Sequence, residues 1–233
     1  MKLAVLALAA SACSIPEKDA EPDLSCRDQV LPTEAASKIT VSGTVRTFVG
    51  DMPLDGVMIR GRAGNVSLMP VMSHEGGNFF YSYNSNMVPR VGYLDATVAG
   101  YLDTRLYPAV PVASDIAVAV QMFTAADAAA LVTAGGLTFD PTKGLAVVEV
   151  VDCNGSPLVG GTVSTSPRGP EVRYFAEGEP STTATTTDAS GRALIVNINP
   201  AATTITGSWE GTSVRGHDVV VIANAIVITS LEP

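Results

Sequence analysis

An internal repeat constrains this chain more than any other feature. Pro53-Leu54-Asp55-Gly56-Val57-Met58-Ile59 recurs as Pro157-Leu158-Val159-Gly160-Gly161-Thr162-Val163, an offset of 104. VAGYLDTR from Val98 parallels ITGSWEGT from Ile205 at 107, and VASDIAVAV from Val112 parallels IANAIVITS from Ile222 at 110. The order is kept while the offset drifts by a few residues, as loop insertions produce. Two copies of one fold follow each other, spanning residues 38–123 and 143–233. At about 90 residues each copy buries roughly 60–70% of its unfolded surface, enough for a modest core.

Both copies read as short strands separated by turn residues every 8–12 positions, the spacing of an all-β sandwich. In the first copy the strands are Ile39–Phe48, Val57–Arg60, Asn78–Tyr83, Tyr93–Ala99 and the stretch from Val110 to Phe123. In the second they are Leu145–Val151, Gly161–Ser164, Thr182–Thr187, Arg192–Asn197, Thr203–Trp209 and the stretch from Val219 to Thr229. Between the copies, residues 124–142 read as a helical spacer packed against one domain. Thr124 caps it and Gly135-Gly136 stops it. It has few large apolar side chains, so the expectation is a small domain interface, some relative motion, and independent folding of residues 143–233.

The N-terminus, MKLAVLALAASAC, has one Lys, a short apolar run and small residues before Cys13. That is the layout of a secretory signal over residues 1–12, too short to span a bilayer. The small residues before Cys13 resemble a bacterial lipobox, with Ala10 where Leu is preferred. The resemblance implies lipidation at Cys13 and attachment to the envelope membrane. The alternative is ordinary cleavage after Ala12 and secretion. Ser14, where an Asp retains many enteric lipoproteins in the inner membrane, points to the outer membrane. Residues 13–37 then form lipid anchor and flexible tether, being acidic, Pro-bearing and without apolar period. In an oxidising compartment Cys26 and Cys153 are an even pair, so they are either joined in a disulfide or two free thiols.

The formal net charge of -9 and the absence of any basic run exclude nucleic acid as a partner class. No phosphate loop, dinucleotide fingerprint or Gly-x-Ser-x-Gly elbow occurs. The two histidines, His74 and His217, each precede an acid, but adjacent strand residues point to opposite faces, so neither pair grips a metal. Both are expected in surface turns. No catalytic set, metal or cofactor is expected. A metal-dependent enzyme would need ligands that spacing does not reveal.

Gly43-Thr44-Val45 leading to Pro53-Leu54-Asp55-Gly56-Val57, and Thr187-Asp188-Ala189-Ser190-Gly191 leading through Ile195 to Pro200 and Thr203, resemble the carboxypeptidase regulatory-like, or transthyretin-like, family. Ala193 stands where that family usually has Phe, and the motif is degenerate in the first copy. The resemblance implies two tandem small antiparallel β-sandwiches, of transthyretin-like or carbohydrate-binding-like fold, joined by the short helical spacer. Such domains are appended to peptidases and are not their catalytic part. In this setting Asp152-Cys153-Asn154-Gly155 is a tight turn, with φ above zero expected at Asn154 and Gly155. A calcium site would need six to eight oxygens, and Asp152 with Asn154 offers two.

Five of the six tyrosines fall in the first copy, and Phe79, Tyr81 and Tyr83 alternate on one strand face. Exposed, Tyr81 and Tyr83 form a ligand-stacking row for a glycan or peptidoglycan. Buried, they fill a core with little else large in it. The overall reading is a non-enzymatic envelope protein of spacer or interaction modules, with an envelope protein or glycan as partner.

Overall fold

Alternating apolar residues become strands wherever the alternation is sustained. In the computed structural model, which describes residues 21–63 and 66–233, Ile39, Val41 and Val45 point inward from the first strand. Among the described residues the first copy holds β1 (Lys38–Thr47), β2 (Met58–Ala63), β3 (Val66–Ser67), β4 (Val71–Met72), β5 (Asn78–Asn84), β6 (Tyr93–Thr97), β7 (Asp103–Tyr107) and β8 (Ile116–Met122). Helix α1 (Ala125–Ala134) follows. The second copy holds β9 (Gly144–Val150), β10 (Thr162–Ser166), β11 (Glu171–Ala176), β12 (Glu179–Pro180), β13 (Arg192–Ile198), β14 (Ala202–Trp209), β15 (Thr212–Val220) and β16 (Ala225–Leu231). The fold class is all-β.

The repeat in the sequence is a repeat in topology. The first copy pairs β5-β1-β8 in one sheet and β2-β6-β7 in another. The second pairs β13-β9-β16 and β10-β14-β15 in the same way. Within each copy the opening strand runs parallel to the last, β1 with β8 and β9 with β16. Most other pairings are antiparallel, as the resemblance implies.

The two copies are joined by backbone. β16 runs parallel to β7, from Ala225 opposite Asp103 to Thr229 opposite Tyr107. The sheet of each copy therefore continues into the other as one ten-stranded sheet, β12-β11-β13-β9-β16-β7-β6-β2-β3, with β4 also on β2. Leu106 packs into the first core while its neighbour Tyr107 is buried in the second. Successive strand residues face opposite ways, so the two three-stranded sheets cover opposite faces of this long sheet. The expectation of a small interface with relative motion is thus overturned. A ladder of main-chain hydrogen bonds is directional and replaces a sliding contact.

Helix α1 closes the face that β5-β1-β8 leaves open. Thr124 accepts from the Asp127 backbone N–H and Asp127 accepts from that of Thr124, a capping box. Its Ala128, Leu131 and Val132 pack with Leu102 and Phe123 of the first copy and Leu145, Phe175, Leu194 and Ile226 of the second. The spacer is therefore a wedge between both copies, where packing against one domain was expected.

Residues 21–37 of the expected tether have no regular structure, yet they are fastened along the body. Asp23 N–H donates to Asp152 Oδ2 at 3.0 Å, and Cys153 N–H donates to the Asp23 carbonyl at 2.8 Å. Further on, Arg215 Nη2 donates to the Gln29 carbonyl, and the N–H groups of Ala35 and Ala36 donate to Met87 and Ala113. This stretch is a strap from the second copy to the first, not a free tether.

Candidate functional site

The aromatic strand β5 shows a gradient of burial. Phe79 is buried at 2%, and its ring lies over Gly43 of β1, where a Cβ would stand 2.9 Å from the ring. Tyr81 and Tyr83 point the same way but are half-buried, with ring centroids 6.4 Å apart. They do not form an exposed row, and they do not complete a closed core. They line a cavity of about 240 Å³ between the two sheets of the first sandwich, together with Leu68, Leu94 and Ile116.

Gly61 on β2 keeps this space open. A Cβ there would lie 2.6 Å from the Tyr81 hydroxyl and 2.8 Å from Leu68 Cδ1. Burial raises the Tyr81 hydroxyl well above the ordinary tyrosine range, and the neighbouring Tyr83 adds to the shift. Burial also raises Tyr83, and the positive charge of Arg90 pulls it partway back. Neither hydroxyl makes a hydrogen bond among the described residues, so both are available to a guest.

Two arginines line the cavity wall: Arg62, which pairs with Asp95 at 2.8 Å, and Arg90. The Arg90 backbone exchanges two hydrogen bonds with Val112, each 2.9 Å, and its Nη2 donates to the Ser85 carbonyl at 3.0 Å. Among the described residues it has no carboxylate partner within ion-pair distance. Sequence reasoning missed both Arg90 and Gly61. A lone glycine inside a strand is itself a sign of close approach and could have flagged Gly61. Nothing around Arg90 in the sequence distinguishes it.

The remaining candidates are placed as follows. Cys13 lies outside the described residues. Cys26 and Cys153 are bonded, with Cα atoms 5.5 Å apart. The turn at Asp152 uses its carboxylate on backbone: Oδ1 accepts from the N–H groups of Asn154 and Ser156, and Oδ2 from that of Asp23. Only Gly155 has positive φ there, +79°, so the expected pair of left-handed residues at Asn154 and Gly155 is corrected. Gly155 N–H donates to the Asp152 carbonyl, which fits a type I turn with Asp first and Gly fourth.

His74 lies exposed beside the Glu75-Gly76-Gly77 turn. His217 does not lie in a turn: it sits in β15 opposite Ile205, half-buried, with Nε2 enclosed and without a hydrogen-bond partner. Among the described residues no group of three or more His, Cys, Asp and Glu could hold a metal ion.

No protein-family model matches this chain, and no curated protein is significantly similar to it. Similar solved structures include 3-chlorocatechol 1,2-dioxygenase of Rhodococcus opacus, 14% identical over 46% of this chain and 69% of that one, TM-score 0.29. A streptococcal ancillary pilin is 11% identical over 84% of this chain and 62% of its own, TM-score 0.27. A shaft pilin of Lactobacillus rhamnosus GG is 12% identical over 86% of this chain and 98% of its own, TM-score 0.24. At these scores the likenesses carry no argument about function.

Proposed function

We propose that this chain is a non-catalytic module of the bacterial cell envelope. In this reading two carboxypeptidase regulatory-like sandwiches form one stiff body, held to the outer membrane by lipid on Cys13. The observation that carries it is the parallel pairing of β16 with β7, which turns two domains into a single beam. The secretory layout of residues 1–12 supports export, and the Cys26–Cys153 bond suits an oxidising compartment. Ten residue steps lead from Cys13 to Asp23, which is fastened to the second copy. Fully extended they reach about 35 Å, so the body would stay close to the bilayer.

Glycan binding by Tyr81 and Tyr83 fits less well. A sugar ring stacks on an open aromatic face, and these rings are half-buried in a partly open cavity between the sheets. The test of the proposal is incorporation of labelled palmitate and membrane fractionation of the full chain beside its Cys13→Ser variant. Label and membrane association that both disappear in the variant support it. Label that is absent from the unaltered chain, or persists without Cys13, contradicts it.

A further inference from the structure

The cavity of the first sandwich combines features that a filled β-sandwich core lacks. Its wall is apolar through Leu68, Leu94 and Ile116, and about 240 Å³ stays open between the sheets. It is lined by two half-buried phenols that have no hydrogen-bond partner among the described residues, and by one guanidinium that has no carboxylate there. An apolar cavity of about 150 Å³ already takes up benzene, so this one has room for a ring with a short substituent. Small-molecule sites are mostly apolar with a few fixed polar groups that orient the guest.

We propose that the first sandwich binds a small apolar carboxylate, its body between the sheets and its carboxylate on Arg90 and the Tyr83 hydroxyl. The guanidinium offers paired donors that match a carboxylate, and its bond to Ser85 leaves other N–H groups free. The Tyr83 hydroxyl donates only while protonated. Any phenol is protonated across the neutral range, where a carboxylate is ionised, and burial only widens that margin. Gly61 bears on the shape of the site, because a Cβ there would clash with the Tyr81 hydroxyl and Leu68 Cδ1, both of which line the cavity. The proposal does not depend on lipidation at Cys13, so either reading can fail alone.

The test is titration calorimetry on the full chain with three probes: 4-ethylbenzoate, hexanoate and the neutral 4-ethylbenzyl alcohol. Saturable binding of at least one carboxylate is expected, with the alcohol weaker by about tenfold or more, because hydrogen bonds to charged groups are the strong ones. Arg90→Gln removes that preference, and Arg90→Lys restores part of it. Ile116→Phe fills the cavity and abolishes binding of every probe. Thermal melts of each variant show that the fold is retained. Ring and chain carboxylates compared side by side tell which body fits. Absence of saturable binding by both carboxylates overturns the proposal. So does equal affinity for the alcohol, or full carboxylate affinity in a folded Arg90→Gln variant.

Discussion

The Tyr107 hydroxyl accepts a hydrogen bond from the Val220 backbone N–H at 2.9 Å, tying β7 of the first copy to the end of β15 in the second. Around it, Tyr93 stacks on Tyr107 at 4.7 Å and Arg105 lies over the Tyr93 ring at 5.0 Å. Arg105 also pairs with Asp95 at 3.1 Å and donates to the Val220 carbonyl at 2.7 Å. The join between copies thus has side-chain locks beside its backbone ladder.

Burial pushes the Tyr107 hydroxyl up to about 12. An unfolded tyrosine ionises near 10, so above that pH the unfolded state loses its proton first. The Tyr107 contribution is complete below about pH 10 and is lost as pH rises from there to about 12. Urea midpoints should fall across that window, and fall less in Tyr107→Phe. At neutral pH the same variant should lose about 1 kcal/mol, the net worth of an ordinary hydrogen bond. An identical alkaline decline in both proteins would contradict this.

The Cys26–Cys153 bond closes a loop of more than a hundred residues between strap and body, a separation of 127. Removing a cross-link of that span should cost about 2–5 kcal/mol. The strap lies largely outside the cores, so far-ultraviolet circular dichroism of Cys26→Ala/Cys153→Ala should stay β-type while residues 21–37 lose protection in hydrogen exchange. An unchanged guanidinium midpoint would show that the bond does not constrain the chain.

Burial holds the His217 imidazole below the usual histidine value, and Arg215 reinforces this, while the Ala109 carbonyl and Asp218 oppose it. With the folded value lowered, the unfolded state binds the proton first as pH falls. Stability from this group is complete above about pH 6.5 and declines as pH drops below it. His217→Gln should flatten the dependence of the melting temperature on pH below about pH 6.5. A steeper slope in the variant would refute the assignment.

Residues 143–233 retain β9–β16 and both of their sheets, so they should fold alone. Without β7, however, β16 becomes an open edge, and open edges recruit other strands. Sedimentation should show concentration-dependent association of this fragment that the full chain lacks. A strictly monomeric fragment as stable as the whole would argue that the shared sheet contributes nothing.

Much of the fold was legible where local chemistry decides it. The strands β1, β9 and β13, the Thr124 cap and the Gly135 stop all appear in the sequence and in place. Thr182–Thr187 reads as a strand because threonine is β-branched, yet it is irregular. There the Ser181 hydroxyl takes the N–H groups of Thr183 and Ala184, a local bond that competes with a ladder. The stretch from Val219 to Thr229 reads as one strand, but Asn224 at φ +53° turns the chain between β15 and β16. The fusion of the copies was missed because edge pairing has no motif. Its trace was the run Ala225-Ile226-Val227-Ile228, apolar on both faces, as a buried parallel strand must be. The cavity depends on distances across the sandwich from Gly61 and Arg90, which no periodicity reports.

Scanning calorimetry of the full chain tests the shared sheet most directly. One transition is expected, with the calorimetric enthalpy equal to the van't Hoff enthalpy, because unpairing β16 from β7 opens both halves of one sheet. Two separate transitions, or a calorimetric enthalpy about twice the van't Hoff value, would mean that the copies unfold as independent domains and that the beam does not exist.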